Sequence, residues 1–112
     1  MKNQINRFTN AFRGILHAIR NDSNFSWQII SIIFFILIGY IARPITSTEI
    51  LFLVLSYFLI LITELQNTSI EAALDRIHPE HHRDIGKSKD MMAGSVLLAG
   101  LFALVVVLVI LI

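Results

Sequence analysis

Apolar residues gather along this chain in three blocks separated by polar, charged segments. The first runs from Trp27 to Ala42 and closes at Arg43-Pro44. The second runs from Ile50 to Thr63, and the third from Met91 to Ile112, with no charge after Asp90. Each reads as a helix crossing a bilayer. The first is short for the roughly 20 residues that a hydrocarbon core requires, so polar residues on its N-terminal side are expected to extend it. Thr46-Ser47-Thr48-Glu49, ahead of the second, reads as a capping box. Before all three, Ile5, Phe8, Phe12, Ile15, Leu16 and Ile19 fall within about 100° of arc on a helix. Lys2, Arg13 and Arg20 lie to one flank of that arc and Arg7 opposite. This predicts an amphipathic helix in the membrane interface, either a simple anchor or an element that grips the substrate. The expected architecture is all-α and integral to the membrane. A single domain over 1–112 would comprise an amphipathic helix over 1–24 and transmembrane helices over 27–42, 49–77 and 87–112.

Composition agrees with that pattern. Of 112 residues, 55% are hydrophobic and only 15% charged, outside the usual balance of a soluble domain. A soluble protein of this length has too little interior to bury three such blocks, so lipid must cover the rest. Cysteine is absent, which excludes disulfides, thiolate metal sites and cysteine nucleophiles. The net charge of +1 carries no information about nucleic acid, and none is expected as a partner. A secretory signal peptide is not expected either, because the first block starts late and lacks a small-residue cleavage site.

The placement of the charges is informative. Lys2, Arg7, Arg13 and Arg20 precede the first block, and Arg76, Arg83, Lys87 and Lys89 lie between the second and third. Among Lys and Arg, the connector between the first two blocks holds only Arg43. By the positive-inside rule the N-terminus and the second connector face the cytoplasm, where ATP is found.

The second helix does not stop at the end of its apolar run. It continues through Glu64-Leu65-Gln66-Asn67-Thr68-Ser69-Ile70-Glu71-Ala72-Ala73-Leu74-Asp75, with no Gly or Pro until Pro79. With Glu64 at zero, Asn67 falls at about −60°, Glu71 at about −20°, Asp75 at about +20° and Thr68 at about +40°. Three carboxylates and a carboxamide thus climb one stripe about 16 Å long. Leu65, Ile70, Ala73 and Leu74 form an opposite face able to pack on other helices. Carboxylates at a helix end can be merely solvated, but Glu64 follows a long apolar run and is expected at the hydrocarbon edge. An ionisable group at that depth is costly and is a functional candidate by default. Gly86-Lys87-Ser88-Lys89-Asp90 opens the third helix on the same side, with lysines able to neutralise phosphate or to serve as interfacial anchors. Carboxylates, a carboxamide and lysines suit Mg-nucleotide chemistry. No Walker loop or kinase-type Gly-rich loop is present, so helix-borne side chains would have to hold the nucleotide.

The stretch from Glu64 to Arg76, followed by Lys89-Asp90 and a small-residue start to the third span, resembles the prokaryotic diacylglycerol kinase family. The order Glu-x-x-Asn-(Ser/Thr)-(Ala/Ser)-Ile-Glu-x-x-x-Asp with a downstream Lys-Asp is a specific signal, and the likeness covers nearly the whole chain. It implies an ATP-dependent kinase of membrane diacylglycerol, multi-pass in the bacterial inner membrane, with Mg²⁺ as cofactor and its site on the cytoplasmic face. Glu64 would be the general base on the lipid's primary hydroxyl, and Asn67 would help place the reacting groups. Glu71 would be a Mg²⁺ ligand beside the nucleotide phosphates. Glu80, His81, His82, Lys89 and Asp90 would contact ATP. The family's second metal carboxylate comes from a stretch before the first span that usually reads Asn-Glu-x-x-Phe. Here it reads Asn21-Asp22-Ser23-Asn24-Phe25, so Asp22 would take that place with a shorter reach; it is also a candidate N-cap. Lys2 and Asn3 do not match the family's N-terminal ATP contact. The resemblance also implies a homotrimer with active sites shared between subunits.

A second acceptor and two other classes stay open, a non-catalytic membrane subunit among them. Undecaprenol kinases belong to the same family, and the Arg76-Ile77-His78-Pro79-Glu80 turn and Gly94 fit both branches. A proton-coupled transporter protomer would place its ionisable groups near the bilayer midplane rather than at one face. His78, His81 and His82 lie close in sequence, but Pro79 breaks the segment that a helical zinc pair would need.

Overall fold

The structure is a computed structural model that describes residues 2–80 and 82–112. Among the described residues five helices follow one another: α1 (Lys2–Asn21), α2 (Ser23–Ile30), α3 (Ile32–Ile41), α4 (Ser47–Ile77) and α5 (Arg83–Leu111). Three segments are long and apolar enough to cross a membrane: Ser23–Ile41, Ser47–Ile77 and Arg83–Leu111.

Local chemistry explains where each element begins. Asp22 adopts an extended backbone and accepts the Asn24 N–H at 3.0 Å, capping α2. α1 therefore ends at Asn21 rather than at 24, and the first span opens at Ser23 rather than at 27. Its extra turn is Ser23-Asn24-Phe25-Ser26, three polar residues around the buried Phe25, with the Ser26 hydroxyl donating back to the Ile19 carbonyl at 2.7 Å. At Ser31 the span is interrupted between α2 and α3. There the Ser31 hydroxyl bonds the Gln28 carbonyl, and the Tyr57 hydroxyl donates to the Ile29 carbonyl at 2.8 Å. Hydroxyls that compete for backbone carbonyls are a recognised cause of local helix distortion.

The expected capping box is present. Thr46 Oγ1 accepts the Glu49 N–H at 3.1 Å, and Glu49 Oε1 accepts the Thr46 N–H at 3.2 Å. α4 then runs without Gly or Pro to Ile77. α5 opens at Arg83, four residues before the expected 87, because the His82 Nδ1 accepts the Asp84 N–H at 3.1 Å and caps the helix there. Asp84 in the first turn adds a negative charge at the positive end of the helix dipole.

The short connector after α4 makes α4 and α5 an antiparallel hairpin, which carries most of the packing. Leu53, Tyr57 and Ile60 of α4 meet Ala99, Ala103, Val106 and Val107 of α5, and Phe35 and Ile38 of α3 complete the cluster. The small side chains of Ala99 and Ala103 let the helices approach, as is usual between membrane helices. Phe35 and Tyr57 meet edge to face with ring centroids 5.7 Å apart. Ser56, fully buried, satisfies its hydroxyl on the Phe52 carbonyl at 2.7 Å. Outside this seam most large apolar side chains point outward, as lipid-facing positions do, with Phe25 and Ala18 buried as exceptions. α1 is almost wholly uncovered by the chain: only Ala18 is buried, while Phe8 and Phe12 are each 70% exposed.

Candidate active site

The buried face of α4 leads straight into the polar stripe. Leu53, Tyr57 and Ile60 are followed at helical spacing by Glu64, then by Asn67 and Thr68, then by Glu71 and Asp75. Glu64 is 6% exposed and is the only buried carboxylate among the described residues. Asn67 and Thr68 are half-buried, and Glu71 and Asp75 are exposed. The stripe thus passes from protein interior to open surface over about 16 Å. On the other face, Leu65 and Leu74 are half-buried, whereas Ile70 and Ala73 are exposed.

A second element reaches the stripe. Asp22, at the start of the first span, spends one carboxylate oxygen on the Asn24 N–H and accepts the Thr68 hydroxyl with the other at 2.5 Å. Thr68 stands one turn beyond Glu64, so this bond brings Asp22 beside the carboxylates of α4. Asp22 and Glu71 are near enough for their negative charges to act on that of Glu64. The part played by Thr68 was not visible in the sequence, where it was simply another polar position on the stripe. The only sequence signal was its angle, which set it on the same face as Glu64.

A third group lies at the turn between α4 and α5. Lys89 forms an ion pair with Asp75 across that turn. Both line a cavity of about 170 Å³ together with His78, Glu80 and His82. The structure therefore gathers three of the residues read as nucleotide contacts, Glu80, His82 and Lys89, around one space. Asp90 is exposed beside Lys89 and does not line the cavity. His81 lies outside the described residues. His78 and His82 approach edge to face at 5.4 Å, with His78 Nδ1 2.9 Å from the Glu80 carbonyl and His82 occupied as a helix cap. Glu71 stands between the two groups, its charge acting on both Glu64 and Lys89.

The donor set can be tested against a divalent ion. Among the described residues no three His, Asp or Glu side chains converge into a cage for a metal. Mg²⁺ does not need one: it keeps several waters and takes one or two carboxylates plus substrate phosphates. Asp22 and Glu71, on facing elements and each with free lone pairs, fit that demand. A buried carboxylate with two further carboxylates beside it, and a lysine at the helix turn beyond them, are groups able to hold a metal-phosphate group and take a proton from a hydroxyl.

Comparison with known proteins bears on this arrangement. The family described as prokaryotic diacylglycerol kinase matches residues 9–111. The chain is 30% identical over 95 residues to a diacylglycerol kinase of Escherichia coli, an alignment covering 85% of this chain and 77% of that protein. It is 28% identical over 95 residues to a diacylglycerol kinase of Haemophilus influenzae, covering 85% and 80%. It is also 32% identical over 100 residues to an undecaprenol kinase of Bacillus subtilis, again covering 85% and 80%.

Proposed function

This chain belongs to the prokaryotic diacylglycerol kinase family, a family of membrane lipid kinases, and from that premise we propose that it transfers the γ-phosphoryl group of ATP to the primary hydroxyl of diacylglycerol. The observation that carries the reading is Glu64, a buried carboxylate at the point where an apolar helix face becomes a stripe of carboxylates. In the reaction the Glu64 carboxylate takes the proton of the acceptor hydroxyl. The hydroxyl oxygen forms the new bond to the γ-phosphorus as the bond to the β–γ bridging oxygen breaks, and ADP leaves. Asn67, next on the stripe, orients the acceptor. Lys89, set by Asp75, lies against the phosphates, with Glu80, His81, His82 and Asp90 around the nucleotide. Asp22 and Glu71 would hold Mg²⁺, which would supply positive charge to offset the negative charge of the nucleotide phosphates.

The same reading places this site on the cytoplasmic face of the bacterial inner membrane, where the positive-inside rule puts Arg76, Arg83, Lys87 and Lys89. α1 lies in the interface on that side, with the uncovered Ile5, Phe8 and Phe12 in the acyl region. Three copies assemble, which would enclose the stripe that one chain leaves open at Glu71 and Asp75. The likeness to the Bacillus subtilis enzyme supports undecaprenol as the alternative acceptor.

The test follows label from the γ-phosphate of MgATP in mixed micelles, with diacylglycerol and undecaprenol offered in parallel. Label in phosphatidic acid is the expected result, and label in undecaprenyl phosphate alone assigns the second acceptor. Glu64→Gln is expected to abolish transfer while the protein still folds; retained turnover would remove Glu64 from the role of base.

A further inference from the structure

Two hydrogen bonds cross between the first span and α4 at different heights. Deep in the hairpin, Tyr57 donates to the Ile29 carbonyl at 2.8 Å. About 16 Å further along α4, Thr68 donates to Asp22 at 2.5 Å. The first bond touches only backbone. The second touches a carboxylate that faces two others.

The three carboxylates carry like charge, and Asp22 is the one that does not share a helix with the other two. Its backbone cap bond to the Asn24 N–H fixes it to its own span but not to α4. The like charges of Asp22 and Glu64 act on each other, which works to drive Asp22 away from the stripe. Among the described residues the Thr68 hydroxyl is the donor that opposes this from α4. With one oxygen on Asn24 and the other on Thr68, the Asp22 carboxylate is oriented while each oxygen retains a lone pair for another ligand. Thr68 lies one turn from Glu64 and under one turn from Glu71, so the same bond sets the spacing between Asp22 and both.

We propose that Thr68 is a positioning residue for the divalent metal: its hydroxyl holds the Asp22 carboxylate at the distance from Glu71 at which both bind one ion. This rests on the reading above that Asp22 and Glu71 share Mg²⁺. Groups that hold a metal ligand in place typically govern affinity by ten- to a hundredfold. Thr68→Val keeps the shape and removes the donor, whereas Thr68→Ser keeps the donor.

The experiment titrates Mn²⁺ into the full-length protein in detergent micelles beside a non-hydrolysable ATP analogue, with bound ion read by electron paramagnetic resonance. Thr68→Val is expected to weaken Mn²⁺ binding about tenfold, and Thr68→Ser to restore it to within about twofold. Tyr57→Phe, which removes the other cross-helix bond, is expected to leave Mn²⁺ affinity within about twofold of wild type. In turnover assays Thr68→Val should raise the Mg²⁺ concentration needed for half-maximal rate more than it lowers kcat. Wild-type affinity in Thr68→Val beside a weakened Asp22→Ala overturns the proposal alone. Equal weakening by Tyr57→Phe also overturns it, since the bond would then serve general helix registration. Wild-type protein that binds no Mn²⁺, or Asp22→Ala at full affinity, overturns the metal reading and the proposal with it. Thr68→Ser below wild type by as much as Thr68→Val likewise rejects the hydroxyl as the active feature.

Discussion

Lys89 meets Asp75 in the one ion pair found among the described residues, and both partners remain open to water. An exposed pair of this kind adds little to stability, so its effect is placement. Asp75 holds the ammonium at the cavity by the helix turn, where the proposed nucleotide phosphates would meet it. Asp75→Asn is accordingly expected to keep the fold and to raise the KM for MgATP several-fold with a smaller change in kcat. Kinetics at saturating lipid check this; an effect confined to kcat would move Asp75 into the chemistry. The positions of Glu64, Asn67, Glu71 and Asp75 on one face were legible in the sequence, because helical period alone sets their angles. Their partners were not. Thr68 and Asp22 are far apart in the chain, and Lys89 and Asp75 sit on different helices, so each pairing depends on how elements pack. The sequence leaves Asp22 open as either cap or metal carboxylate; the structure shows the cap bond and a second bond from the Thr68 hydroxyl.

Helix ends show the same division between local and tertiary information. The capping box at Thr46 and Glu49 was readable because it is written within four consecutive residues. It serves a helix of 31 residues, and losing one cap bond there costs about 1 kcal/mol. Thr46→Ala is therefore expected to lower stability by that order without touching turnover at low temperature, as measured by reversible loss of helix content in denaturing detergent. Unchanged stability would show that the packed seam with α5 dominates the end of the helix. The start of α5 at Arg83, capped by His82, was less legible, since histidine is not a common cap and the polar run before Lys87 carries no clear helix-start signal. The break at Ser31 could not be read at all, because half of it is supplied by Tyr57 from another helix. Three apolar blocks were enough to predict three spans, while the lengths of those spans depended on polar flanks whose caps only the fold reveals.

At the scale of the molecule, a single chain builds one well-packed seam and leaves much of its apolar surface facing outward. Glu71, Asp75, Ile70 and Ala73 also remain uncovered at the end where the proposed chemistry occurs. Trimerisation would cover them, and light scattering in detergent should give a protein mass of three chains; a monomeric mass with full turnover would confine the site to one chain. The continuity of packing and polar stripe on α4 has a consequence for how this chain can vary. Because Leu53, Tyr57 and Ile60 set the rotation of everything beyond them, one residue inserted before Glu64 turns every later carboxylate by about 100° and lifts it about 1.5 Å. The stripe would then face away from Asp22 and Lys89 although no functional residue had changed. An insertion of seven residues would return the carboxylates to within about 20° of their original direction, but about 10 Å further from the seam. Substitutions along α4 perturb one contact at a time, whereas a change in its length shifts the phase of the whole site.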